Sequence, residues 1–326
     1  MTDQRVHLFA SRSRPHYWRH TQPVYDALPR ELRGSMGRGN STMARQGGPV
    51  LVGGHSDLQL VPPDRPTILV EHGAGQTYLG LDHGGYSGGQ GRERVGLFLC
   101  PNETVAQRNR DRYPQASAVA VGCPALDPHA ETKPPSDRRA VVAISFHFDP
   151  LVAHGPPEMF PAFAHYETHL GAIVADLTEM GCEVVGHGHP RWGAAARTWR
   201  RLGVTYEPDW DRLLGRLSVL VVDNSSVGFE AAAVGRGVVW LNSPTYRREV
   251  EHGLRFWSHV GVGWQADGPA EVVDAVRLAL AGPPPGADRV AHSVYGEVGG
   301  AAEAAAAAVV AWWERGERAE LFPLGA

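Results

Sequence analysis

The run SVLVVDNSSVGFEAAAVGRGVVWLN, Ser218–Asn242, constrains the fold more than any other part of the chain. It reads as an apolar strand, a tight polar turn, a short helix and a second apolar strand. Neither strand alternates apolar with polar residues. Continuous apolar strands are buried on both faces, which in practice means a parallel sheet covered by helices. A strand, tight turn, helix and strand within 25 residues fit a sheet of that kind.

The same alternation runs through most of the 326 residues. Val6–Ala10, PVLVGG, Thr67–Val70, Gly96–Cys100 and Ala118–Gly122 read as strands, with helices over about residues 17–27 and 102–113. Cys123–Arg139 holds four prolines and many charges without an apolar period, and reads as a linker. Beyond it Val141–Phe146 and CEVVGHG are strands, and helices are expected over about 159–180, 209–217 and 271–281. The Ala-rich tail is helical on propensity alone. The fold class expected is α/β, with two Rossmann-like domains. Their expected bounds are 1–125 and 140–300, joined by a linker at 126–139. Residues 301–326 would form a helix that returns to the first domain, or one that docks or pairs in a homo-oligomer.

Thirty-one Lys+Arg against 35 Asp+Glu give a net charge of −4, which offers no global pull toward nucleic acid or a membrane surface. No apolar run approaches the ~18 residues of a membrane span, and the first residues lack a signal-peptide core. Cys100, Cys123 and Cys182 are an odd number, far apart and without CxxC spacing. That pattern favours a reducing compartment. A cytoplasmic enzyme with no stable membrane insertion is the expectation.

Three segments carry candidate chemistry. Asp223–Asn224–Ser225–Ser226 stands where a strand turns into a helix. These residue types cap helices, and such a turn at the carboxyl end of a parallel strand accommodates a phosphate or diphosphate. Glu230, about one turn on, is placed to accept ribose hydroxyls, unless it is simply a solvated residue on a core helix. His187, His189 and Arg191 follow another strand and offer titratable donors and a guanidinium for a phosphate. His-Gly-His is not a zinc signature, so no metal is expected there. Glu71 and His72 follow Thr67–Val70, and Gly73 and Gly75 permit close backbone approach to a ligand. Histidine's unperturbed pKa lies near operating pH, which makes His72 a candidate general base. A plain glycine turn is the alternative. Gly85–Tyr86–Ser87–Gly88–Gly89 matches G-x-S-x-G in letters but lacks the flanking strand and helix of a nucleophile elbow. His165 and His169 are spaced i, i+4, yet Glu167 does not stand where a zinc protease needs it.

Read together, EHGAGQTY, VVAISFHF, GHGHPR and DNSSVGFEAAAVGRGVVWLN resemble the glycosyltransferase-B superfamily, over roughly residues 65–245. Within it they are most similar to the CDP-glycerol glycerophosphotransferases of wall teichoic acid synthesis. That family shows a His-Gly-Thr loop, an Ala-Pro-Thr-Trp-like loop, a His-Pro turn and an Asp-Tyr-Ser-Ser-Val turn in the same order. Asn224 stands where the family has Tyr, and the Gly-rich insert Gly80–Gly91 has no counterpart.

The resemblance implies parallel sheets facing across a cleft, with an acceptor-binding first domain and a nucleotide-donor second domain. It makes His72 the general base, with Gly73 and Gly75 supporting it. His189, Arg191, Ser225 and Ser226 would hold the donor diphosphate, Asp223 would support the turn, and Glu230 would hold the nucleotide ribose. The expected activity is metal-independent transfer of a glycosyl or glycerophosphoryl group from a nucleotide-diphosphate donor to an acceptor hydroxyl. No cofactor is implied beyond that donor as co-substrate. A nucleotide-sugar epimerase or hydrolase on the same fold, and a non-catalytic glycan- or nucleotide-binding module, are the alternatives.

Overall fold

A computed structural model of the chain describes residues 5–10, 15–37, 47–72, 91–132, 139–147, 162–190, 192–223, 225–242 and 261–315. Among these, the strands form two six-stranded sheets, parallel throughout. The described residues up to Ala130 and those from Val294 onward make one unit, and those between Glu131 and Ser293 make the other.

The first sheet has strands β1 (Val6–Phe9), β2 (Arg33–Gly37), β3 (Val50–Val52), β4 (Thr67–Val70), β5 (Val95–Cys100) and β6 (Ser117–Ala120), in the order β2-β1-β3-β4-β5-β6. Every residue of β1, β3, β4 and β5 is buried. Side chains alternate between faces with period two. Ile68, Val70, Leu97 and Leu99 pack beneath the helices Trp18–Ala27 and Ala301–Glu314, through Val24, Tyr25, Ala305, Val309 and Trp312. Leu69 and Phe98 point the other way, against Val105 and Ala106 of the helix Glu103–Arg112. Each fully buried Leu or Val contributes about 1.5–3 kcal/mol relative to exposure, so both faces stabilise the unit. β2 is an edge strand in Gly/Arg/Ser-rich sequence that gives no strand signal, and its Met36 is half exposed.

Pro124–His129, in the stretch read as linker, forms a 3-10 helix with Pro124, Ala125, Leu126 and His129 buried. The Asp127 carboxylate accepts the backbone N–H groups of Ala301 and Ala302 at 3.1 and 2.7 Å. Gly300, at the N-cap of that last helix, has φ +77° and no side chain to do so. Apolar content and a capping carboxylate therefore hold these residues against the first unit, despite their prolines. Residues 133–138 lie outside the described residues.

The second sheet has β7 (Val141–Phe146), β8 (Glu183–Gly188), β9 (Thr205–Tyr206), β10 (Val219–Val222), β11 (Gly237–Leu241) and β12 (Trp264–Ala266), in the order β12-β11-β10-β7-β8-β9. Val142, Ile144, Phe146, Val219 and Val221 pack with Ile173, Leu177, Trp199 and Val276 on one face. Close approach requires glycine at several positions here, Gly186 and Gly228 among them. A Cβ at Gly186 would lie 2.1 Å from Trp199 Cγ, and one at Gly228 would lie 2.4 Å from Trp240 Cη2. The helix expected over 159–180 is divided into Phe163–Tyr166, a 3-10 turn Glu167–His169, and Leu170–Glu179. His165 and His169, spaced i, i+4 in the sequence, therefore lie in two different elements and not on one continuous α-helix.

Candidate functional site

In the second sheet β7 and β10 are neighbours, although β7 is its first strand in the chain and β10 its fourth. Chain connections leave this pair in opposite directions. That opening, at the carboxyl ends of the strands, is where open α/β sheets bind ligands. His147 directly follows β7 and Asp223 directly follows β10. The Asp223 carboxylate is fully buried and accepts the His147 backbone N–H at 3.0 and 3.2 Å. His189, one residue past β8, donates its backbone N–H to Phe146 O at 2.9 Å. Its ring meets the His147 ring edge to face, with centroids 4.8 Å apart. Two imidazoles and a carboxylate-anchored turn thus converge at the switch point. The convergence follows from strand order, since β8 lies beside β7 on the side away from β10.

The structure brings together Asp223 and His189 and adds His147, which sequence reasoning passed over within VVAISFHF. Its signal was available: it is the residue after a buried strand, the position that carries ligand contacts in such sheets. Ser225 is buried and Ser226 half-buried. Ser226 occupies the N-cap of the helix Val227–Ala233, but with helical φ −62°, ψ −18° and no side-chain capping bond. The expected capping by this turn is therefore not made by Ser226, and Asp223 turns back to His147 instead. Arg191 and Asn224 lie outside the described residues.

His187 and Glu230 face the interior. Ser145 Oγ and His187 Nδ1 are 2.8 Å apart, and the His187 ring lies 5.3 Å from that of Trp210. Trp210 Nε1 donates to Glu230 Oε2 at 2.8 Å. Glu230 is 2% exposed, so it is not the solvated residue of the plain alternative.

The first sheet changes direction between β1 and β3. His16 and Tyr17 follow β1, and Gly53–Gly54 follows β3. A Cβ at Gly54 would come 2.5 Å from Tyr17 Cζ, so glycine is what admits the tyrosine ring. His72, beyond the end of β4, packs against Tyr17 with centroids 4.5 Å apart. The rings of His16 and His20 stand 6.2 and 6.1 Å from it. Beside it, Glu71 Oε1 accepts from Arg92 Nη1 at 2.6 Å and from Asn109 Nδ2 at 3.4 Å. Burial pushes the Glu71 carboxyl up, but the Arg92 charge and hydrogen bond, with His72 and Asn109, outweigh it and hold the group below its ordinary range. Gly73, Gly75, the G-x-S-x-G match and all but Gly91 of the Gly-rich insert lie outside the described residues.

Among the described residues no group of three or more His, Cys, Asp or Glu side chains is arranged to hold a metal ion. No described helix is long and apolar enough to cross a membrane.

No family model and no curated protein matches the chain. Solved structures do. The chain is similar to a putative UDP-N-acetylglucosamine 2-epimerase from Listeria monocytogenes, with TM-score 0.62 and 14% identity, covering 97% of this chain and 98% of that one. It is similar to the wall teichoic acid polymerase TagF, with TM-score 0.61 and 12% identity, covering 98% and 91%. A third likeness is to S. aureus MnaA in complex with UDP, with TM-score 0.56 and 13% identity over 95% of each chain. At these identities the likeness is one of fold. The chain has the two-domain α/β fold of the glycosyltransferase-B proteins.

Proposed function

We propose that the chain is a transferase that moves a glycosyl or glycerophosphoryl group from a nucleotide-diphosphate donor to an acceptor hydroxyl. The carrying observation is the meeting of His147, His189 and Asp223 at the switch point of the second sheet. Imidazoles donate to phosphate oxygens, and donors fixed in advance stabilise charge as it develops on a leaving phosphate. Ser225 and Ser226 add hydroxyls on the same turn, Arg191 a guanidinium, and Glu230 an oxygen for the ribose. The solved structures support a nucleotide at this fold, because one is a complex with UDP and another is the TagF polymerase soaked with CDPG.

In the first unit His72 would take the proton of the acceptor hydroxyl. The acceptor oxygen then forms its bond to the transferred carbon or phosphorus. The donor bond breaks with its electron pair going to the leaving phosphate. A nucleoside diphosphate leaves in glycosyl transfer and a nucleoside monophosphate in glycerophosphoryl transfer. General-base catalysis is worth about 10²–10⁴-fold, so His72→Ala is expected to lose that much turnover while still binding donor.

A second reading is a nucleotide-sugar 2-epimerase or hydrolase, favoured by the Listeria and S. aureus likenesses. The test is a thermal-shift screen over UDP-, GDP-, dTDP- and CDP-linked donors, followed by product analysis without acceptor. A ligand at 100 Kd raises stability by about 2.7 kcal/mol, which is readily read. An isomer or free sugar formed without acceptor selects the second reading, and donor left unchanged until an alcohol is added selects transfer. Binding of no donor contradicts both.

A further inference from the structure

A second concavity lies at the other end of the second sheet. Ala140 stands before β7, Ser218 before β10 and Gly237 at the start of β11, so the cavity they line is at the amino ends of these parallel strands, away from the switch point. Its volume is about 390 Å³, within the range of small-molecule sites. Val262, Ala279, Leu280 and Pro283 give it an apolar wall, and Leu280 is 40% exposed there. Two charged residues also line it, Arg236 and Asp288. Arg236 is 2% exposed. Its Nε donates to Leu214 O at 3.3 Å and its Nη2 to Thr132 O and Oγ1 at 3.1 and 3.2 Å, but the buried Nη1 has no hydrogen-bond partner among the described residues. Burial lowers the Arg236 pKa, and no carboxylate stands near enough to counter it. An unpaired charge is costly away from water, so a buried guanidinium ordinarily meets an anion. Asp288, exposed near the start of the helix Ala287–Tyr295, forms no ion pair with it or with another described residue. One cavity therefore carries two opposite charges, neither neutralised by the other.

We propose that this cavity binds a small zwitterion, an α-amino acid with an apolar side chain. The ligand's carboxylate lies against Arg236 and takes Nη1 as its donor once the guanidinium turns to uncover it. Such a bond between two charged groups is of the stronger kind. The ligand's ammonium faces Asp288 and the carboxyl end of the helix Val272–Ala281, where Gly282 lines the cavity and the last carbonyls favour a cation. The side chain covers Leu280 and Val262, and its burial contributes in proportion to the apolar area removed from water. A plain anion would answer Arg236 but not Asp288, and a plain amine the reverse. A tie to Leu214 and Thr132 uses only Nε and Nη2, and leaves Nη1 and Asp288 without a role. The inference is independent of the transferase reading, which concerns the carboxyl ends of the same sheet.

The experiment is calorimetric titration of the full chain, without nucleotide, with L-leucine, L-isoleucine and L-phenylalanine. The expected result is saturable binding of at least one of them. Analogues of that amino acid lacking the amine or the carboxylate (for leucine, isocaproate and isopentylamine) should each bind more weakly by about tenfold or more. Asp288→Asn, at an exposed position, should lower the amino acid's affinity about tenfold and bring it level with the analogue that has no amine. Arg236→Met should abolish binding. Should that buried variant fail to fold, Asp288→Asn carries the test with Leu280→Ser, which should weaken the amino acid and its amine-free analogue alike. No saturable binding of any of the three amino acids at about 10 mM overturns the proposal. So does binding that is indifferent to removal of the amine, or unchanged in Asp288→Asn. With no nucleotide present and Asp288 outside the site of the proposed function, either result leaves the transferase reading as it stands.

Discussion

The Asp223 carboxylate accepts the backbone N–H of His147 across the junction of β10 and β7, at 3.0 Å. One buried side chain thereby ties together the two strand ends from which the second sheet's connections diverge. The same bond fixes the start of the segment that carries the His147 ring toward His189. The anchor of the strand ends and the start of the His147–His189 ring pair thus share one residue.

Replacing that anchor should affect both fold and binding. Asp223→Ala leaves a buried N–H without its acceptor, which costs about 1–3 kcal/mol. Asp223→Asn keeps one acceptor oxygen and should cost less. Urea denaturation checks the stability difference. Nucleotide affinity measured on the folded variants should fall in the same order.

Glu230→Gln separates two roles of one carboxylate. The amide oxygen can still accept from Trp210 Nε1, so stability is expected to change by less than about 1 kcal/mol. If Glu230 also holds a ribose, nucleotide affinity falls about tenfold, since a charged acceptor makes the stronger bond. Calorimetric titration of wild type and variant with the donor found in the screen reads this directly.

Arg92→Met removes one partner of a buried pair beside His72 and should cost about 3–5 kcal/mol at neutral pH. The pH dependence has a definite sign. In the wild-type chain the Glu71 carboxyl is held below its ordinary range, chiefly by Arg92 acting against burial. Its stabilising contribution is therefore complete above the unfolded value of about 4.3 and is lost as pH falls through the folded one. Without Arg92, burial alone pushes the group up, and protonation on acidification relieves the unpaired charge. Urea melts at pH 7 and pH 5 should show the gap between wild type and variant narrowing in acid.

Asp127→Ala tests whether the segment before the second unit belongs to the first. Loss of the carboxylate uncaps Ala301 and Ala302 and should cost about 0.5–2 kcal/mol. Hydrogen exchange at the start of the helix Ala301–Glu314 should quicken more than exchange in the second sheet.

Much of this was legible in the chain because the strands are short apolar runs bounded by turn residues. Thr67–Val70 has the bounds its composition suggests, and the Ala-rich tail is helical over Ala301–Glu314, with residues 316–326 of the expected helix outside the described residues. β2 was not legible, since an edge strand needs no apolar run, and RGSMG contains almost none. Within the site, His72, His189 and Asp223 were readable because each follows a strand. Their partners were not. His16 and His20 reach His72 from far earlier in the chain, Arg92 reaches Glu71 across the Gly-rich insert, and Trp210 reaches Glu230 from a different helix. Those contacts are set by strand order, which single-sequence periodicity does not encode.

Under the proposed function a nucleotide diphosphate binds at the carboxyl ends of β7, β8 and β10. Its most direct test is an NMR titration of the folded chain with the nucleoside diphosphate of the donor identified by thermal shift, following the histidine rings. Saturable shifts are expected at His147 and His189, weakened together in Asp223→Ala. Saturable binding that leaves both of those rings unmoved would contradict it.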